Sequence, residues 1–288
     1  MKKTSKSAES TSVDLDASIQ RLIVVSDLHA YREPLEAVDS YLEALTGDYR
    51  VFVNGDFFDG GMDAVATLAW VRTQATGRTT RGNHDRGVFD YLRDAASSPP
   101  PPPERRPADT ELGSYQRMSP EQLQFVADLP DQLLVHWRGK RVRILHGHRN
   151  LKTEAYTSFL SSVDQLVEVF HDTSVDLTVI GHTHYPFARK QGGSWVANSG
   201  SVAVPICRMR AAEGGAIENR CATDDSVDDD NAQSSLLSIT ESGGELDVQV
   251  IRFDYDQRGL LERYAREDGL HMRQAVREQW ITQALLDL

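Results

Sequence analysis

Five short apolar or extended runs in this chain each lead into a polar motif, and that order of runs and motifs limits the fold more than any other feature. Arg21-Leu22-Ile23-Val24-Val25 leads to Asp27-Leu28-His29, and the stretch from Arg50 to Val53 leads to Gly55-Asp56-Phe57-Phe58-Asp59. An extended piece at Arg78 to Thr80 precedes Gly82-Asn83-His84-Asp85. Val142-Arg143-Ile144-Leu145 precedes His146-Gly147-His148, and Leu177-Thr178-Val179-Ile180 precedes Gly181-His182-Thr183-His184. Short β-branched runs bounded by turn residues read as buried strands. Helical patterns lie between the first of them. Pro34 opens one with Leu35, Val38, Leu42 and Leu45 on one face, and a second covers about Met62 to Ala75. Strand alternating with helix predicts an α/β core with a largely parallel sheet.

The remaining stretches fill out this plan. Residues 1 to about 18 are polar and without periodicity, which predicts a disordered tail ahead of a single domain over 19–288. Ser97 to Pro107 holds six prolines and is expected to be an exposed loop. Ser119-Pro120-Glu121 is a helix start. Hairpins are expected about Arg138-Gly139-Lys140 and Gly192-Gly193, with a longer helix from about Thr153 to Phe170 between them. From 211 to 235 the chain is rich in Gly, Ala and Asp, with Asp224-Asp225 and Asp228-Asp229-Asp230, and reads as a disordered acidic insertion. Strands at Ser235 to Thr240 and Val248 to Phe253 then resume the sheet, and two helices close the chain.

Composition removes several classes of function. With 288 residues, of which 40% are hydrophobic, the chain can bury a sizeable core. No apolar stretch approaches a membrane span. Met1-Lys2-Lys3-Thr4-Ser5-Lys6 carries basic residues with no apolar segment behind them, so a secretory signal is not expected. Cys207 and Cys221 suggest no disulfide framework, and the expected setting is the reducing cytoplasm. A formal charge of −12 argues against strong nucleic-acid binding or attachment to anionic membranes.

The motifs supply carboxylates, imidazoles and one amide, which can hold two divalent metals side by side. Asp27 and His29 are two apart, and if the chain stays extended both point to one side and can share a metal. Taken alone, that tripeptide is better explained by a turn aspartate beside a surface histidine. Asp56 would emerge at a strand end, where open α/β sheets place ligands, and its two oxygens make it the natural bridge between metals. Taken alone, that motif also fits a solvated turn. Asn83 offers a neutral amide oxygen. Neighbouring groups seldom serve one metal, so Asn83 is assigned to binding and His84 to proton transfer, which neutral imidazole suits. An Asx-turn with a surface histidine is the alternative there. His182 and His184 repeat the two-apart spacing. Six of the nine histidines fall in these motifs, which scattered surface histidines would not do. The other three, His136, His171 and His271, are expected to carry no chemistry.

In this order the motifs resemble those of the calcineurin-like metallophosphoesterase superfamily, in particular its small bacterial and archaeal phosphodiesterase-like branch. The likeness covers about Arg21 to Val204 and resumes after the acidic insertion. It extends to Met118-Ser119-Pro120-Glu121-Gln122-Leu123, to Asn198-Ser199-Gly200-Ser201-Val202 and to Phe253-Asp254-Tyr255-Asp256. The resemblance implies a four-layer α/β/β/α sandwich of two mixed sheets flanked by helices. It implies Asp27, His29, Asp56 and His184 on one metal, and Asp56, Asn83, His146 and His182 on the other. His84 would protonate the leaving group with Asp59 orienting it, and His148 would stand beside the ligands without being one.

Such a pair lowers the pKa of water to near neutrality and neutralises phosphate charge. Arg81 is a candidate to support the phosphate, or else a structural salt-bridge arginine. Oxygen and nitrogen ligands without thiolate suit Mn, Fe, Co, Ni or Zn, and manganese is the expected metal from the resemblance. The expected substrate is a phosphodiester or small phosphate ester, with a dinucleoside polyphosphate or a phosphoprotein as alternatives. Gly60 stands where protein serine/threonine phosphatases carry a phosphate-clamping arginine, which argues against the last. A binding scaffold that keeps the fold without catalysis would have lost ligands, and here the full set is present.

Overall fold

The computed structural model describes residues 10–97, 111–158, 161–203, 209–211, 217–219 and 233–266. In chain order the first strands and helices are β1 (Ser10–Asp14), β2 (Arg21–Val25), α1 (Glu33–Glu43), β3 (Tyr49–Asn54), α2 (Ala64–Ala75) and β4 (Thr79–Thr80). Helices α3 (Gly87–Ser97), α4 (Glu111–Tyr115) and α5 (Pro120–Ala127) follow, then β5 (Gln132–Trp137), β6 (Lys140–Leu145), α6 (Val163–Phe170) and β7 (Leu177–Ile180). The rest are β8 (Phe187–Gln191), β9 (Ser194–Asn198), β10 (Met209–Ala211), β11 (Ile217–Asn219), β12 (Ser234–Ser242), β13 (Glu245–Phe253) and α7 (Gln257–Arg266).

These strands build two mixed sheets, one ordered β13-β12-β2-β3-β4 and the other β1-β5-β6-β7-β9-β8. The pairs β2–β3, β3–β4, β6–β7 and β7–β9 are parallel, as expected of strands joined by crossovers. The hairpins β5–β6, β8–β9 and β12–β13, and the return of β12 beside β2, add antiparallel pairs, so the expectation of a largely parallel sheet is corrected.

Period two in the strands separates the layers. Leu22 and Val24 of β2 and Phe52 of β3 face the other sheet, where they meet Leu133, Val135, Val142, Ile144, Leu177 and Val179. Ile23, Val25, Val51 and Val53 face the opposite way and are covered by Leu35, Val38, Leu68 and Val71 of α1 and α2 and by Leu123 and Val126 of α5. On the far side, Leu166, Val167 and Phe170 of α6 cover Ile180 and Val196. The result is a four-layer α/β/β/α sandwich. Among the described residues, no helix is long and apolar enough to cross a membrane.

Three local expectations are corrected. Ser10–Asp14 lies in the span read as a disordered tail, yet it pairs in parallel with β5 from Ser10↔Gln132 to Asp14↔His136. Four of its five side chains are exposed, so it has little apolar signature, and backbone pairing together with Val13 against the core fixes it. The helix expected over 153–170 is confined to Val163–Phe170. Ser162 and Gln165 form a capping box that starts it there, and the chain before it turns back on itself. Ser97 ends α3, whereas 98–107 of the proline segment lie outside the described residues. Of the acidic insertion, β10 and β11 form a short hairpin and Ser234 already belongs to β12. The rest of it, both cysteines and residues 267–288 lie outside the described residues.

Candidate metal centre

The carboxyl ends of β2, β3 and β4 in one sheet and of β6 and β7 in the other all open onto one place, and each delivers one of the five motifs. The backbone holds the motifs together before any side chain does. Leu28 N–H and His29 N–H both donate to Asp56 O, at 2.8 and 3.1 Å, and Gly181 N–H donates to His146 O at 2.9 Å. The glycines are there because the loops nearly touch. A Cβ at Gly82 would run into the Asp56 carboxylate, and one at Gly181 into Ser26 and Asp27.

Asp27 and His29 are brought together differently from the expectation. The chain leaves β2 by turning, with φ of 57° at Asp27, 48° at His29 and 60° at Ala30, in the left-handed region. Asp56, Asp59, His182 and His184 also have positive φ, from 56° to 72°. Each such non-glycine residue costs about 1–2 kcal/mol locally, and the surrounding hydrogen bonds hold the turns in place.

Two groups of ligand atoms result. Asp27, His29 and His184 form one, and Asp56, His146 and His182 the other, with the atoms of each group within 4.8 Å of one another. All six residues are buried. Asp27 Oδ1 lies 3.1 Å from His184 Nε2 and 3.8 Å from His146 Nε2, so the groups adjoin. Asp56 Oδ2 lies 3.0 Å from His146 Nε2. His29 Nδ1 sits 2.7 Å from the Asp59 carbonyl and His146 Nδ1 2.7 Å from that of Asn54. A carbonyl can only accept, so each Nδ1 carries the proton and each Nε2 is turned inward as the coordinating atom.

The charges balance within the cluster. Burial pushes Asp27 and Asp56 up, but the imidazoles beside them, His184 and His146 foremost, hold both below the ordinary carboxylate pKa. Burial and neighbouring imidazoles push His29 and His182 down to about 4. His146 is raised to about 10 against its burial by Asp56 and Asp27. A cation between these carboxylates and Nε2 atoms would take the place of that proton. The donor set fits a divalent metal pair on a further observation. Asn83 Oδ1 is buried with no hydrogen-bond partner, which is costly unless something else satisfies it. Asn83 belongs to the turn whose next residue, His84, donates its backbone N–H to Asp56 Oδ1 at 2.9 Å.

His84 Nε2 faces Asp56 Oδ2 at 4.0 Å, and Nδ1 lies 3.0 Å from Asp59 Oδ2. Burial lowers its pKa, but Asp59 and Asp56 outweigh that and raise it to about 9. His148 lies outside both groups, its ring 6.2 Å from that of His146 and 6.1 Å from that of His182.

Arg81 is not offered to the centre. Its guanidinium donates to Asp131 Oδ1 at 2.8 Å and to Ala127 O at 2.7 Å, and it stacks 4.5 Å from the Phe89 ring centroid. It is buried, and with this the structural reading replaces the phosphate-supporting one. Residues given no role by the sequence do position the site. Asp85 accepts backbone N–H bonds from Asp56, Phe57 and Gly82. Asn198 Nδ2 donates to Gly181 O and Thr183 Oγ1, and Ser201 Oγ donates to Asp27 O. Asp85 closes the same quartet as Asn83 and His84, which was the only signal for it.

The calcineurin-like phosphoesterase superfamily domain is matched over residues 21–217. An uncharacterized protein of Methanocaldococcus jannaschii, MJ0912, is 25% identical over 186 residues, spanning 63% of this chain and 69% of that protein. Among solved structures, a metallophosphoesterase from Sphaerobacter thermophilus superposes with a TM-score of 0.57 at 19% identity, over 85% of this chain and 94% of its own. The hypothetical protein PH1004 of Pyrococcus horikoshii OT3 gives 0.60 at 12%, over 87% and 94%. These two likenesses are likenesses of fold.

Proposed function

The chain belongs to the calcineurin-like phosphoesterase superfamily and is a phosphoric ester hydrolase, and we propose that it cleaves a phosphodiester or another small phosphate ester at a pair of divalent metals, manganese by preference. The observation that carries this reading is the meeting of two buried Asp/His groups, with an orphaned amide oxygen on Asn83, at the ends of five strands. Asp27, His29, Asp56 and His184 would hold one metal, and Asp56, Asn83, His146 and His182 the other, Asp56 serving both. When bound, such a pair supplies a nucleophile from water near neutral pH and offsets the charge of the phosphate oxygens.

The chain's own part is to orient and to move a proton. Asp59 Oδ2, 3.0 Å from Nδ1, favours the protonated form of His84, whose Nε2 is turned toward Asp56. It gives that proton to the departing alkoxide, while Asp59 at Nδ1 fixes the ring and stabilises its charge. Gly60 supports an ester smaller than a phosphoprotein. A side chain there would meet the Tyr31 ring at 3.3 Å, on a backbone with φ of 127°, so the position does not accommodate a phosphate-clamping arginine.

His84→Ala tests the assignment. With manganese present, turnover of an aryl phosphodiester should fall about 10²–10⁴-fold, the usual contribution of a positioned general acid, while metal content per chain stays at the wild-type value. Unchanged turnover would remove His84 from the reaction.

A further inference from the structure

The motif that ends β6 runs into a loop whose residues neither sheet needs. Arg149 and Tyr156 pair across it as an isolated antiparallel bridge. Asn150 N–H donates to Ala155 O at 2.8 Å and Thr157 N–H to His148 O at 3.1 Å, so the loop is a closed lobe held by its own backbone. It starts at His148, beside the Asp56–His146–His182 group. At its other end Tyr156 is 72% exposed, the most exposed large apolar side chain among the described residues.

Charge and aromatic surface coincide in this lobe. The Arg149 guanidinium lies 5.9 Å from the Tyr156 ring centroid. Arg86 sits at the same strand end: its anchor Asp131 directly precedes Gln132, which pairs with Leu145 at the end of β6. His148 Nδ1, at the start of the lobe, is buried without a hydrogen-bond partner. Arg86 is anchored by Asp131 Oδ1 at 2.8 Å, which that oxygen shares with Arg81. Arg149 is held by Glu154 at 3.0 Å, but that carboxylate is largely exposed, and such pairs contribute little and exchange readily for a better anion. Guanidinium forks bind phosphate oxygens well, and exposed aromatic rings stack on bases.

We propose that Arg86, His148, Arg149 and Tyr156 form the surface that selects the ester: the arginines and His148 take a phosphate oxygen turned away from the metal ligands, and Tyr156 stacks on an aromatic ring carried by the alcohol, as in a nucleotide. This rests on the phosphoesterase reading and narrows its substrate to esters bearing a nucleobase or aryl group.

The test is calorimetric binding to the manganese-loaded protein of two phosphonates, the analogues of AMP and of ribose 5-phosphate, whose P–C bonds resist hydrolysis. The wild type should prefer the adenosine compound. Tyr156→Ala should weaken that compound at least about fivefold, as loss of one stacked base does, leave the ribose compound unchanged, and be rescued by Tyr156→Phe. Arg149→Gln should weaken both. No preference in the wild type, an equal effect of Tyr156→Ala on both compounds, or no effect of Arg149→Gln would overturn the proposal. The same binding pattern in a wild type that hydrolyses neither phosphodiesters nor phosphomonoesters would support the surface and sink the hydrolytic reading separately.

Discussion

Asp85 shows how much of the centre depends on a residue outside it. Its carboxylate accepts from Asp56 N–H at 2.8 Å, Gly82 N–H at 2.8 Å and Phe57 N–H at 2.9 Å, and it is fully buried. It thereby fixes the turn that carries Asp56 against the turn that carries Asn83 and His84. Asp85→Ala leaves three buried donors without an acceptor. Each such orphan costs about 1–3 kcal/mol, so urea unfolding should show a loss of at least about 2 kcal/mol. A variant within about 0.5 kcal/mol of the wild type, the usual range of neutral surface changes, would contradict the positioning role. Arg81 carries a related lesson. As a residue type next to the Gly82 quartet it could have faced phosphate, and its neighbours Asp131, Ala127 and Phe89, which decide the matter, lie elsewhere in the chain.

Between elements, Asp172 joins β6, the lobe that follows it and the end of α6. Its Oδ2 meets Arg143 at 2.8 Å and Lys152 at 3.1 Å, and Oδ1 accepts from Ser174 N–H at 2.8 Å. Partial burial raises its pKa, but the Ser174 hydrogen bonds and the two ion pairs outweigh that and hold it below the ordinary carboxylate range. A depressed carboxyl adds stability that is complete above its unfolded pKa of about 3.9 and is lost as pH falls toward the folded value. Asp172→Asn should therefore be less stable than the wild type at neutral pH, and the gap in urea unfolding should narrow below about pH 4. An equal gap at both pH values would show that the charge contributes nothing. Boundaries at this scale were partly legible. The helix start at Ser119-Pro120-Glu121 was legible, and a capping box of Ser119 and Gln122 opens α5 there. The one at Ser162 was hidden inside a longer apolar pattern, so the helix was read as starting nearly ten residues early.

Across the whole molecule, the two sheets meet where their strands end, and six buried Asp and His side chains that could hold metal are concentrated at that seam. A cation that binds only the folded chain stabilises it, by about 2.7 kcal/mol at a hundredfold excess over Kd. Manganese should accordingly raise the Tm, with calorimetry saturating at two ions per chain and Asp56→Asn lowering that number. A Tm indifferent to manganese would remove the metal pair.

The sequence alone placed Asp27, His29, Asp56, His146, His182 and His184 just after short apolar runs, which is a local pattern, and a strand end displays whatever follows it. It also determined the alternation that places helices outside the sheets. Only the tertiary structure decided what lies at long separation: His29 against His184, 155 positions apart, the pairing of polar β1 with β5, and the capture of Arg81 by Asp131. The left-handed turns at Asp27, His29, Asp56, His182 and His184 belong to the same class. Each is locally unfavourable, and it persists because hydrogen bonds from other strands over-determine the backbone there, which no local pattern of residues can state.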